Sequence, residues 1–353
     1  MQWITVSSRL MYHGSRVGSV DRERYRRQVL SGEFDALSRL SSMLPPAPPG
    51  ETWIGDDTAV VRAPDHGWLL LAADAVVAGV HADLTLTGLD DLGWKAMAVN
   101  VSDVAAMGGR PGHALVTVAG PPETDLDLLY QGIRAAAGRY GCPVVGGDLT
   151  NASGLVVCVA VTGSAGGPVV TRAGAEAGDG IWVTGPLGRA AAGLRILRRR
   201  AKEEQGEAGG EWLPVAAEGP VVGADVERSL ILAHARPEAA LAEGEAAAGG
   251  GATAMIDVSD GLVADLGHIA DASGVGYVLT ELPVADGATD AEALGGGEDY
   301  VLVFCAPDAA DIPGAFRGLA PPVRIGTCVA AATTRTLAGR TLERVGWEHD
   351  WRG

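Results

Sequence analysis

Apolar positions along this chain follow two alternating rhythms. Trp68 to Ala73 is a short continuous apolar run, as a buried strand requires, and residues 90–107 then change to helical recurrence that Gly108-Gly109 stops. Asp91 is the expected N-cap of that helix. A strand over 113–119, a helix over 125–140 closed by Gly141, and strands over 142–146 and 155–162 follow. Gly163 to Gly167 make a turn-rich joint, and a second series opens with Gly180-Ile181-Trp182-Val183-Thr184-Gly185. It continues through a strand over 254–258, a helix after Asp260, a strand over 300–305 and a last hairpin, Arg335 to Trp351, turning at Gly339. Ahead of all this, Phe34, Leu37 and Leu40 recur at helical spacing until the prolines from Pro45 to Pro49 break the pattern.

The pattern predicts an α+β chain with α/β-like alternation. A length of 353 residues exceeds one ordinary core, so two domains are expected, 33–165 and 166–353. Residues 1–32, rich in Arg and Ser, read as a disordered arm. The stretch 202–222, which begins Lys202-Glu203-Glu204-Gln205-Gly206, is polar and without period, and reads as a flexible insertion.

Composition narrows the chemistry. Hydrophobic residues make up 47% of the chain, enough for both cores, and no apolar run reaches the length of a membrane helix, so a cytoplasmic protein is expected. The net charge of −17 argues against a nucleic-acid partner, whose binding rests on Lys and Arg. Lys95 and Lys202 are the only lysines, and neither sits in a G-x-x-x-x-G-K-[ST] loop, which excludes a P-loop. Cys142, Cys158, Cys305 and Cys328 have no metal or redox spacing and read as buried thiols.

An acidic protein that grips phosphates needs metal, and the acids fall in suggestive places: Gly55-Asp56-Asp57, Ala73-Asp74, Ser102-Asp103, Gly146-Gly147-Asp148, Asp257-Val258-Ser259-Asp260-Gly261 and Gly297-Glu298-Asp299. Glycine lets a phosphate or hydrated metal approach the backbone closely. Asp103 lies inside a helical pattern where Asp has poor propensity, which points to a function. Magnesium is commonly held by one or two carboxylates plus substrate phosphates, so several ions between such aspartates and a triphosphate would replace the missing lysine.

With these motifs in chain order, the sequence resembles the thiamine-monophosphate kinases, a branch of the aminoimidazole-ribonucleotide-synthetase-like superfamily, from Glu33 to about Trp351. Gly55-Asp56-Asp57-Thr58-Ala59-Val60, Asn100-Val101-Ser102-Asp103 and Gly146-Gly147-Asp148 are similar to superfamily motifs. Val80-His81, Asp257-Val258-Ser259-Asp260-Gly261-Leu262, Gly296-Gly297-Glu298-Asp299-Tyr300 and Gly346-Trp347-Glu348-His349 are similar to the kinase branch. The reactive N-terminal Cys of a selenophosphate synthetase and the C-terminal Cys of the hydrogenase-maturation branch have no counterpart here.

The resemblance implies an N-terminal domain that forms a β-barrel with its twin in a homodimer, a C-terminal α+β domain, and transfer of a phosphoryl group from ATP to thiamine monophosphate. It also implies that Asp57, Asp74, Asp103, Asp148, Asp257 and Asp260 bind several magnesium ions, with catalysis resting on Asp57, Asp103, Asp148 and Asp260. Gly147, Asp148, Arg172 and Ser259 would contact ATP, and His81, Glu298 and Trp347 would face thiamine monophosphate. Use of potassium is left open. The chain departs from the family at Ala73, where only a backbone carbonyl can reach a metal, and at Ala82 and Val301. Two rivals stand beside this reading: another ATP-using enzyme of the superfamily, and a weakened paralogue that only binds nucleotide or thiamine phosphate.

Overall fold

Alternating apolar residues build two separate sheets, each with its own helices. The computed structural model describes residues 41–63, 67–205, 219–343 and 345–347. The expected arm and first helix, residues 206–218 of the insertion, and the chain beyond Trp347 lie outside them. By contacts, Pro45–Trp347 is one unit; Met1–Leu44 with Glu348–Gly353 is another, of which residues 41–44 are described and make one turn.

The first sheet contains β1 (Ala59–Arg62), β2 (Trp68–Val77), β3 (Arg110–Gly120), β4 (Val144–Asn151) and β5 (Val156–Ala165), in the order β1-β2-β5-β3-β4. Only β3 and β4 pair in parallel. Two helices, α1 (Leu89–Ala106) and α2 (Leu126–Tyr140), cover one face, burying Leu70, Met97, Val104, Val116, Leu129 and Val159. Gly88 is the N-cap of α1, and Asp91 caps from three positions further on, accepting from Gly88 N at 3.3 Å. That corrects the expected N-cap. Asp91 still satisfies a free donor of the first turn, but from inside the helix. In α2 the expected ends hold, with Asp125 accepting from Leu128 N and Gly141 left-handed at φ 63°.

The two helices cross at glycine. A Cβ on Gly132 would stand 1.8 Å from the Asp90 carbonyl oxygen, and one on Gly93 would stand 2.2 Å from that of Leu129. Backbone, not a flexible side chain, blocks both positions. Gly132→Ala is therefore expected to destabilise the protein by about 3 kcal/mol, at the upper end for overpacking. A denaturation midpoint equal to wild type would refute this contact.

The second sheet has seven strands in the order β12-β11-β8-β10-β6-β9-β7. They are β6 (Gly180–Val183), β7 (Ala254–Asp257), β8 (Gly276–Leu279), β9 (Leu302–Ala306), β10 (Val323–Val329), β11 (Arg335–Leu337) and β12 (Arg340–Thr341). Between them come α3 (Arg189–Gln205), α4 (Ala224–Ala235), α5 (Leu241–Gly249), α6 (Leu262–Ser273), α7 (Asp290–Gly295) and α8 (Ile312–Ala315). Ile181, Val183, Ile256, Leu266, Ile269 and Val303 fill this core. The fold is α+β, as read from the sequence, and β11 and β12 form the expected hairpin about Gly339.

Three local readings change. α3 runs through Gln205, so residues 202–205 are helical, extending the Arg-rich helix rather than opening a loop. β4 continues past Gly146, placing Gly147 and Asp148 inside a strand, where β3 supplies the partners. Cys142, Cys305 and Cys328 are buried, whereas Cys158 is only half-buried.

Candidate active site

Helix α1 brings the acids of the two halves together. Its Asp103, with Asp57 ahead of β1 and Asp257 at the end of β7, places carboxylate oxygens within 4.8 Å of one another. Ser102, the neighbour of Asp103, donates its hydroxyl to Asp257 Oδ2 at 2.5 Å. Asn100, one turn earlier, is fully buried and accepts from Asp74 N at 2.8 Å, fixing β2 against the helix. The spacing 100, 102, 103 on one helix thus ties β2 and β7 to it and puts Asp103 beside the loop that carries Asp57.

Crowded carboxylates out of water resist ionisation. Burial first, then the charges of Asp257 and Asp74, pushes Asp103 well above the carboxylate range. Burial and the neighbouring Asp57 raise Asp257 to about 7, against the opposing Ser102 hydrogen bond. Asp57 is also raised by burial, although Arg172 Nη2 donates to its Oδ1 at 2.7 Å. Its Oδ2 is buried with no hydrogen-bond partner, as is Arg172 Nε. Asp56 accepts from Arg172 N at 3.0 Å and from Asp57 N, locking that loop. Asp57, Asp103 and Asp257 together could hold a metal ion.

Asp148 stands apart. It is exposed, accepts from Thr150, and shares a register row with Thr117, Cys158 and Ala75 of its sheet. Asp74 lies in the adjacent row with Val159, Val116 and Gly147, and the pleat sends alternate rows to opposite faces. Gly147 is held at φ 154°, where a Cβ would meet the Val116 carbonyl oxygen at 1.7 Å. Ala73, exposed in β2, offers only backbone.

Asp260 belongs to a second group, with Asp265 and His268 of α6. Asp265 is buried and accepts from Asp260 N and Gly261 N, which makes it the cap of that turn. Trp347, half exposed, is tied here by its own N–H to the Asp260 carbonyl at 3.1 Å.

His81 and Glu298 meet in a third group. His81 is half-buried, and its Nδ1 accepts from Val77 N at 3.0 Å, which leaves the proton of the neutral ring on Nε2. Both oxygens of Glu298 accept from Lys95 of α1, at 2.9 and 3.0 Å, and Lys95 also donates to the His81 carbonyl at 3.3 Å. Burial opposes the charged form of Glu298. Lys95 and the His234 contact outweigh it and hold the carboxyl down at about 2. His234 of α4 is itself buried, which lowers its pKa, with Nδ1 3.3 Å from Glu298 Oε2. Ser259 anchors the group through its carbonyl, which accepts from Glu298 N at 2.8 Å.

Sequence reading missed Lys95, His234, Asp56, Asp265 and His268 as site residues. For Lys95 a signal existed: it stands eight positions before Asp103, on one helical stripe, in a chain with only one other lysine. Departures Ala82 and Val301 are ordinary packing positions, Ala82 buried in the first core and Val301 against the second.

Comparison with known proteins bears on this geometry. The model of the AIR synthase related protein N-terminal domain matches residues 55–165, and that of the C-terminal domain matches residues 176–336. The thiamine-monophosphate kinase of Salmonella typhimurium is 37% identical over 274 residues, which cover 73% of this chain and 77% of the relative. That of Mycobacterium tuberculosis is 38% identical, covering 71% of this chain and 73% of the relative. Among solved structures, AaThiL complexed with AMPPCP and TMP superposes with a TM-score of 0.75 at 31% identity, over 90% of this chain and 97% of that one.

Proposed function

Because the chain belongs to the thiamine-monophosphate kinase family of AIR synthase related proteins, and is a kinase, we propose that it transfers the γ-phosphoryl of ATP directly and in line to thiamine monophosphate. The observation that carries this reading is the convergence of Asp57 from the loop before β1, Asp103 from α1 and Asp257 from β7, beside Arg172. AMPPCP is an ATP analogue, and a relative of this fold binds it together with TMP.

The residues fit magnesium: raised carboxylates, and an Asp57 oxygen buried without a hydrogen-bond partner, await a cation. Asp57, Asp74, Asp103 and Asp257, with Asp260 and the Ala73 carbonyl, would hold several ions, and Asp148, which stands apart from that cluster on its sheet, would serve a separate ion. When bound, magnesium neutralises phosphate charge and orients the γ-phosphoryl group. Gly147 lets a phosphate approach backbone that no side chain covers, Arg172 offers a fork of donors to phosphate oxygens, and Ser259 lies between the acids and Glu298. His81, Glu298 and Trp347 face the acceptor. Its attacking phosphate oxygen is already ionised near neutral pH, so no strong general base is required. Positioning and charge neutralisation carry the reaction.

The same proposal includes residence in the cytoplasm, where ATP is available, an N-terminal domain over 33–165 and a C-terminal domain over 166–353. It also includes a homodimer closed through the first sheet into a barrel. The uncovered apolar residues Leu71 and Leu115 of that sheet support such an interface. Incubation with ATP, magnesium and thiamine monophosphate is expected to yield thiamine diphosphate and ADP in equal amounts by mass spectrometry. ADP without thiamine diphosphate would point to another acceptor, and binding without turnover to a weakened paralogue.

A further inference from the structure

Lys95 is nearly inaccessible, with 3% of its side chain exposed, and its ammonium has three acceptors: both oxygens of Glu298 and the carbonyl of His81. An ammonium carries three donors, so its hydrogen-bonding capacity matches these partners. The two residues it joins come from separate parts of the chain, one just after β2 and the other just before β9. Glu298 sits at φ 68°, a conformation that costs a non-glycine residue energy and persists only where surroundings hold it. His234 Nδ1 lies 3.3 Å from Oε2 of the same carboxylate. A buried ion pair of this kind contributes little net stability, because desolvation offsets the attraction. What it does supply is a fixed position.

The position has a scale. Lys95 precedes Asp103 by eight residues of one continuous helix, about 12 Å along its axis. One end of α1 therefore holds the His81 and Glu298 pair, and the other holds the acid cluster. We propose that Lys95 is a positioning residue for the acceptor: it clamps His81 and Glu298 at a set distance from Asp103, so that the acceptor's organic end is seated where its phosphate meets the acids. This rests on the functional reading above. A purely structural ion pair would affect both substrates alike, whereas a clamp at the acceptor end affects one.

Steady-state kinetics of Lys95→Met, Lys95→Arg and the double variant Lys95→Met with Glu298→Gln test it. Lys95→Met is expected to raise KM for thiamine monophosphate about tenfold or more and to leave KM for ATP within about twofold, because the charge-assisted hydrogen bonds it removes hold only the residues proposed to face the acceptor. Lys95→Arg should recover part of the acceptor KM. The double variant buries no lone charge, so it should regain wild-type thermal stability without regaining acceptor KM, separating positioning from folding. An acceptor KM within twofold of wild type in Lys95→Met, or an equal rise for both substrates, overturns the clamp alone. A wild-type protein that makes no thiamine diphosphate overturns the functional reading and the clamp with it.

Discussion

Asp103→Asn is expected to lower kcat at least about a hundredfold while leaving the folded protein as stable as wild type, or more so, when magnesium is absent. Both halves of that expectation follow from one geometry. Asp103 shares a 4.8 Å neighbourhood with Asp57 and Asp257, and burial and those charges push its pKa well above the ordinary range. Removing the carboxylate removes a repulsion in the empty site. In the proposed metal-loaded site it would remove an oxygen ligand beside the triphosphate, where positioning and charge neutralisation would carry the barrier. Kinetics and thermal unfolding on the same preparation check both halves. Unchanged kcat would sink the metal-clamp account, and a large loss of stability without magnesium would show that Asp103 is structural.

Why Asp103 stood out in the sequence while Lys95 was missed is a matter of how strong the local signal is. An acid inside a strongly apolar helical stretch violates propensity, and such violations concentrate at sites. Asp257 and Asp260 announced themselves as acids where a strand gives way to a turn, and the strand does end at Asp257. A lysine in a helix violates nothing, and its burial depends on Glu298, 203 positions away. His234 is the same case, its role set by packing between helices. Periodicity also placed both ends of α2 and the final hairpin, because capping and turn residues act over a few positions. It misplaced the end of β4, where Gly146-Gly147 reads as a turn. The ladder to β3 holds those glycines extended, and only tertiary pairing supplies that information.

Magnesium is expected to stabilise the protein much more at about pH 8 than at about pH 6, because protons and the metal compete for the same carboxylates. Burial raises Asp257 from 3.8 to about 7, and raises Asp57 and Asp103 as well. A carboxyl whose folded pKa lies above its unfolded value binds its proton more tightly in the folded state. Its stabilisation is therefore complete below the unfolded value and is lost as pH rises through about 7. Without magnesium, Asp257 makes stability fall as pH rises toward about 7, and the raised Asp57 and Asp103 act in the same sense. Glu298, held near 2, has released its proton in both states across this window and contributes a constant. His234 acts in the opposite sense, since its lowered pKa makes the folded state lose stability as pH falls. The Asp257→Asn variant separates these effects, because it keeps His234 and removes one titrating acid. In that variant the loss of stability toward alkaline pH should be smaller. For wild type, saturation at a hundredfold excess over Kd is worth about 2.7 kcal/mol, a rise in Tm of several degrees. An equal magnesium shift at both pH values, or identical pH profiles for wild type and Asp257→Asn in the absence of metal, would show that these carboxylates do not form the cation site.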